Sequence, residues 1–142
     1  MGNRAVVSFS TSPAAPSIYL HWNGGRASIE GFLAGCLDAG YAATGDQKQD
    51  MDEIERCLRP YFARNGECMS IYRQPVGRAD CDNGDNGWYI LDQSTLAITG
   101  RLHNEGEEEE INADKKANIR AYIAKINTAP RCRYSCLYGE AA

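Results

Sequence analysis

A length of 142 residues, with 43% hydrophobic and 24% charged side chains, is that of one globular domain able to bury a core. The net charge of −4 and a pI near 5.2 exclude general nucleic-acid binding, which needs a basic surface to collect phosphates. The sequence has no apolar run of the roughly 18 residues a membrane helix requires, and residues 1–10 lack the basic start and apolar stretch of a secretory signal, so the expected compartment is the cytoplasm.

In chain order, Asn3–Ser10 has the alternation and β-branched content of a strand, and Thr11–Pro16, with two prolines, reads as a turn. Ser17–Trp22 reads as a second strand, antiparallel to the first. After Asn23-Gly24-Gly25 a helix is expected, with Ser28 as N-cap and Glu30 in the first turn. Its apolar stripe is Ile29, Phe32, Leu33, Cys36 and Leu37, and Gly40 suits the stop. A second helix spans Gln47–Arg64 with Met51, Ile54, Cys57, Leu58, Tyr61 and Phe62 on one face, and Pro60 predicts an end or kink near Arg59. Glu67–Gln74 reads as a strand and Pro75–Gly87 as a polar loop. Trp88–Asp92 and Thr95–Leu102 form a hairpin around Gln93-Ser94. Asn104–Glu110 is an acidic loop, Asn112–Ile126 a third helix burying Ile119, Tyr122, Ile123 and Ile126, and Asn127–Ala142 a mixed tail. The expected fold class is α+β: one domain over residues 1–142, an antiparallel sheet of about five strands with two or three helices packed on it.

Six cysteines, Cys36, Cys57, Cys68, Cys81, Cys132 and Cys136, read as reduced thiols when no export signal is present. Cys132-x-x-x-Cys136 is not a zinc spacing and has no second ligand pair nearby. The only histidines are His21 and His103, and the sequence has no G-x-S-x-G, H-E-x-x-H, P-loop or G-x-G-x-x-G after a strand. The chain therefore reads as a binding protein rather than an enzyme, without catalytic residues, metal or cofactor. A calcium loop starting at Asp82 fails, because its third place is Gly84 and its twelfth, where a bidentate Glu belongs, is Gln93.

The sharpest chemistry lies in two glycine turns, Leu20-His21-Trp22-Asn23-Gly24-Gly25-Arg26 and Asp82-Asn83-Gly84-Asp85-Asn86-Gly87-Trp88-Tyr89. Asn-Gly pairs supply the positive φ of tight turns, and rings at strand ends are readily core residues. As a binding surface, however, rings stack on bases, Asn amides read base edges, and exposed Gly N–H groups admit a phosphate. Arg26, Arg78 and Arg101 each lie beside or near a glycine and supply bidentate phosphate contacts. The candidate ligand-binding residues are therefore His21, Trp22, Asn23, Arg26, Arg78, Asn83, Asp85, Asn86, Trp88 and Arg101, and the expected partner is a small anionic nucleotide.

The stretches Gly2-Asn3-Arg4-Ala5-Val6-Val7, Tyr19–Gly25 and Asp82–Tyr89 resemble a family of small proteins from phages and mobile elements. The resemblance covers the first forty residues and Asp80–Leu102, and leaves out the acidic loop and the Cys-containing tail. In size and layout the chain is similar to anti-Thoeris proteins that sequester cyclic ADP-ribose-type or cyclic oligonucleotide immune signals. That resemblance implies a homo-oligomer in the bacterial host cytoplasm, with ligand pockets at subunit boundaries and no turnover. Two alternatives stand beside it. One is an anti-CRISPR or anti-restriction protein that binds a host defence effector through the acidic run Glu107–Glu110. The other is a nucleotide hydrolase using His21 and Asp85.

Overall fold

A computed structural model describes residues 2–64, 70–105 and 112–128. Within them the order is β1 (Ala5–Ser8), β2 (Pro16–Leu20), α1 (Arg26–Asp38), α2 (Gln47–Ala63), β3 (Ile71–Pro75), a 3-10 turn (Val76–Arg78), β4 (Trp88–Leu91), β5 (Ile98–Leu102) and α3 (Ala113–Thr128). Cys68, Cys132 and Cys136, the run Glu107–Glu110 and the tail beyond residue 128 lie outside the described residues. The five strands form one sheet in the order β3-β2-β1-β4-β5. The fold is α+β as the sequence predicts. Three of the four strand pairs are antiparallel, whereas β1 and β4 run parallel, with Val6 opposite Trp88 and Ser8 opposite Ile90.

Alternation along the strands sorts side chains to two faces. Ala5, Val7, Ile18, Leu20, Ile71, Tyr89 and Leu91 point to the helices and form one core with Phe32, Met51, Ile54, Phe62 and Ile123. Each fully buried large side chain of this set contributes about 1.5–3 kcal/mol. Val6, Tyr19 and Trp88 point to the other face, where Ala15 and Val76 join them and Ala79 and Cys81 of the β3–β4 connection pack against them. Both faces of the sheet are therefore covered, which is why β1 is buried throughout.

Three sequence expectations about the helices change. α1 begins at Arg26 with Gly25 as its N-cap, because the Ile29 N–H already bonds the Gly25 carbonyl at 2.9 Å. Ser28 is thus inside the helix, buried, with no hydrogen-bond partner for its hydroxyl. Glu30 lies beyond the first turn, pairing with Arg26 (2.8 Å) and Lys116 (3.3 Å). α2 runs through Pro60 to Ala63. Proline removes one backbone donor there, but Tyr61 and Phe62 are anchored in the core and the Arg64 N–H bonds the Pro60 carbonyl at 3.1 Å.

α1 and α3 approach closely because α1 offers two glycines one turn apart. A methyl group at Gly31 would lie 2.8 Å from the Lys116 carbonyl oxygen, and one at Gly35 would lie 2.5 Å from Ile123 Cβ. Asp46 caps α2 by accepting from the Lys48 and Gln49 N–H groups at 3.0 and 3.2 Å, an arrangement worth about 1 kcal/mol. Asp50 is a buried carboxylate that ties α2 to the loop after β4. Burial opposes its ionisation, but hydrogen bonds from Gln93 (2.6 Å), Thr44 and Gly45 outweigh it and hold its pKa below the usual carboxylate range.

Candidate functional site

Strand register brings the two glycine turns to the same end of the sheet. β2 ends at Leu20 opposite Ala5 at the start of β1, and β4 starts at Trp88 opposite Leu102 at the end of β5. The segment 2–4 is the strap between them. The Asn3 N–H donates to the His21 carbonyl and the Gly24 N–H to the Asn3 carbonyl, both at 2.8 Å. On its other side, the Asn86 N–H donates to the Arg4 carbonyl at 3.1 Å and the Asn86 amide to Asn3 Oδ1. The Tyr89 hydroxyl then donates to the Gly24 carbonyl at 2.8 Å, a direct bond between the turns within one chain.

The second turn is built as a buckle. Buried Asn83 donates through Nδ2 to the carbonyls of Asp80 (2.9 Å) and Gly87 (3.1 Å), while its Oδ1 accepts from the Asp85 and Gly87 N–H groups, both at 3.0 Å. Gly87 has φ +75°, and a Cβ there would fall 2.2 Å from the Leu102 carbonyl oxygen, so only glycine fits. Asp85 accepts from Arg4 Nε at 2.7 Å and from the Arg4 N–H at 3.1 Å. The Arg4 hydrogen bond holds its carboxyl below the usual range against the opposing effect of partial burial. Arg101 lies over the Tyr89 ring, 4.5 Å from its centroid, and donates to the Asn86 carbonyl at 3.1 Å. Trp88 is 8% exposed, and its indole N–H donates to Ser8 Oγ at 2.8 Å. Asn83, Asp85, Asn86 and Arg101 therefore come together with their polar contacts directed into the fold, whereas Trp88 turns to the outer face of the sheet toward Ser8.

The first turn is more open. Tyr19 and His21 share a hydrogen bond between the phenol and Nδ1 at 2.9 Å, which holds the imidazole. The Trp22 ring stands edge-on to His21 with centroids 5.3 Å apart and is 43% exposed. Asn23 has φ +63°, a left-handed conformation that Asn tolerates and that turns the chain into α1. Neither the Trp22 indole N–H nor the Asn23 amide has a partner among the described residues. α1 starts here without a side-chain cap and without an acidic residue in its first turn. At Gly25 a Cβ would meet nothing within 4 Å. α1 thus begins four residues after the exposed Trp22 ring, with Ala27 and Ser28 buried in its first turn and Arg26 held by Glu30 at 2.8 Å.

Arg78 is placed elsewhere. It ends the 3-10 turn after β3, where the Gly77 N–H bonds the Pro13 carbonyl at 2.8 Å, at the opposite end of the sheet. His21 and Asp85, the pair a hydrolase would use, have separate partners, Tyr19 and Arg4. Sequence reasoning singled out the two turns but missed the residues that join them, Asn3, Arg4 and Tyr89. Asn3 and Arg4 sit within the GNRAVV stretch, yet nothing local marks them as a strap, because their partners are about 20 and 80 positions away. Comparison of the chain with protein-family models, with curated proteins and with solved structures finds no match.

Proposed function

We propose that the protein binds a small anionic nucleotide at the 21–26 turn and holds it without turnover, as a counter-defence protein sequestering a cyclic nucleotide signal would. The observation that carries this reading is the open ring and amide of Trp22 and Asn23 beside the uncapped start of α1. A base stacks on Trp22, the Asn23 amide reads its edge, and a phosphate accepts from the first N–H groups of α1. The buckle formed by residues 83–87 fixes the position of this turn through Asn3 and Gly24 rather than touching the ligand. One ring and one helix end make a single wall. A second copy of the chain supplies the other, which gives a homo-oligomer with ligand at its boundary.

The test is incubation with cyclic ADP-ribose isomers and cyclic dinucleotides, then a melting scan and mass analysis of the heat-released ligand. A bound nucleotide raises Tm and returns intact. Trp22→Ala is expected to weaken binding by roughly 5- to 150-fold, the equivalent of one lost stacking contact. It should leave stability within about 0.5 kcal/mol, because the ring is exposed. If no nucleotide raises Tm, or if the released ligand is cleaved, the reading is wrong.

A further inference from the structure

A second feature, remote in sequence from both turns, carries a binding site of its own. α2 ends at Ala63 against the middle of α3, leaving a cleft of about 390 Å³ lined by Tyr61, Arg64, Asn118, Ile119 and Tyr122. It is shallow and open to solvent over most of its boundary. The Arg64 guanidinium lies 3.8 Å from the centre of the Tyr61 ring and 5.3 Å from that of Tyr122. The two rings themselves meet edge-on at 5.8 Å. Nη1 donates to the Tyr61 carbonyl, which fixes the plane of the group.

Six other arginines are committed to carboxylates, whereas Arg64 is held over two rings. Arg4, Arg26, Arg56, Arg59, Arg73 and Arg120 each face a carboxylate. Arg64 has no carboxylate within ion-pair distance among the described residues. A guanidinium has five donors, and the one bond to Tyr61 leaves most of them without an acceptor among the described residues. Stacking on two rings orders the group in advance, so little side-chain entropy is lost when an anion arrives. The neighbouring tyrosine and isoleucine surfaces favour an apolar body attached to that anion.

We propose that the cleft between the end of α2 and the middle of α3 binds a small aromatic anion. Its carboxylate or phosphate pairs with Arg64, and its ring lies against the partly exposed Tyr122. The site is separate from the 21–26 turn and does not depend on the function proposed there.

Binding of benzoate, phenyl phosphate and inorganic phosphate, followed by ligand-observed NMR on the full chain, tests this. The two aromatic anions are expected to bind more tightly than inorganic phosphate. Preference for phenyl phosphate assigns a phosphate monoester, and preference for benzoate assigns a carboxylate. Arg64→Gln is expected to weaken binding by about tenfold or more, the scale of a lost charge-assisted hydrogen bond. Because Arg64 also bonds the last turn of α2, a second variant guards against a folding defect. Asn118→Asp at an exposed position of α3 sets a carboxylate in the cleft, where it pairs Arg64 and repels the probe. It should abolish binding with Tm unchanged, while Trp22→Ala leaves binding intact. Failure of every probe to bind overturns the proposal. So does equal affinity for inorganic phosphate and phenyl phosphate, or binding that survives Asn118→Asp.

Discussion

Replacing Asn83 with Ala tests whether the second glycine turn is a structural buckle. The substitution deletes five hydrogen bonds, three donated by Nδ2, one of them long at 3.5 Å to the Cys81 carbonyl, and two accepted by Oδ1. They do not count equally. Asp80 is exposed, and water can replace the amide at its carbonyl. The Gly87 carbonyl keeps the Val6 N–H at 2.9 Å. The buried Gly87 N–H, however, has only Asn83 Oδ1, and leaving it unsatisfied costs about 1–3 kcal/mol. With the smaller shares of the other four, the loss comes to roughly 2–4 kcal/mol. Urea unfolding monitored by tryptophan fluorescence measures it as a lower midpoint at constant m. Asn83→Asp retains both acceptor bonds but loses the three donated by Nδ2, and it adds a charge near Asp80 and Asp85. It should therefore be destabilised at neutral pH and partly recover when that carboxylate is protonated. A loss below about 0.5 kcal/mol for Asn83→Ala would refute the reasoning, since that is the range of an ordinary surface change.

Two further expectations follow from groups with definite partners or none. Ser28→Ala should stabilise the fold by about 0.5–1.5 kcal/mol, because it removes a buried hydroxyl with no partner and improves helix propensity; a loss of stability in chemical denaturation would show that the hydroxyl is bonded after all. The Asp85 carboxyl has a folded-state pKa below its unfolded value of about 3.9, so its contribution is complete above that value and is lost as pH falls through the folded one. Asp85→Asn should be less stable than the parent at neutral pH by about 1 kcal/mol or less, given a half-open pair, with the gap closing below about pH 4. A gap that stays constant down to acid pH would rule out the Arg4 pairing as its source.

Much of the fold was legible because it is periodic. Ile29, Phe32, Leu33 and Cys36 recur at helical spacing and are buried, whereas Leu37 of the same expected stripe is 39% exposed at the end of α1; Met51, Ile54, Cys57, Leu58, Tyr61 and Phe62 of α2 are all buried. The start of α1 was not legible. Ser28 has the chemistry of a cap, whereas the residue that serves, Gly25, signals nothing through a side chain. The same limit applied to the aromatic turn. Trp88 and Tyr89 read as one pair of rings, but the pleat sends them to opposite faces of the sheet, Trp88 to the outer cluster and Tyr89 to the helix side. They therefore cannot line one pocket together. Nor could local pattern reveal that Asn3 and Arg4 join the two turns, because hydrogen bonds to residues so distant leave no periodicity. The glycines at 31 and 35 were visible, but their purpose depends on Ile119 and Ile123, which lie far along the chain.

The parallel pairing of β1 with β4 constrains the order in which this chain assembles. β1 meets β2 through a short turn and β3 joins next, so three strands can gather from the first 75 residues. The opposite edge of β1 must then wait for residues 88–90, the last to arrive beside Val6, Val7 and Ser8. During that interval the apolar run Ala5-Val6-Val7 presents an unpaired edge in what becomes the middle of the sheet. Closing it requires a long loop to form before the pairing rewards it, so substitutions at the entrance to β4 are expected to slow refolding in stopped-flow experiments. Asn83 and Gly87, at the entrance to that strand, thereby influence how long the nascent protein remains open to aggregation as well as how stable it is once folded.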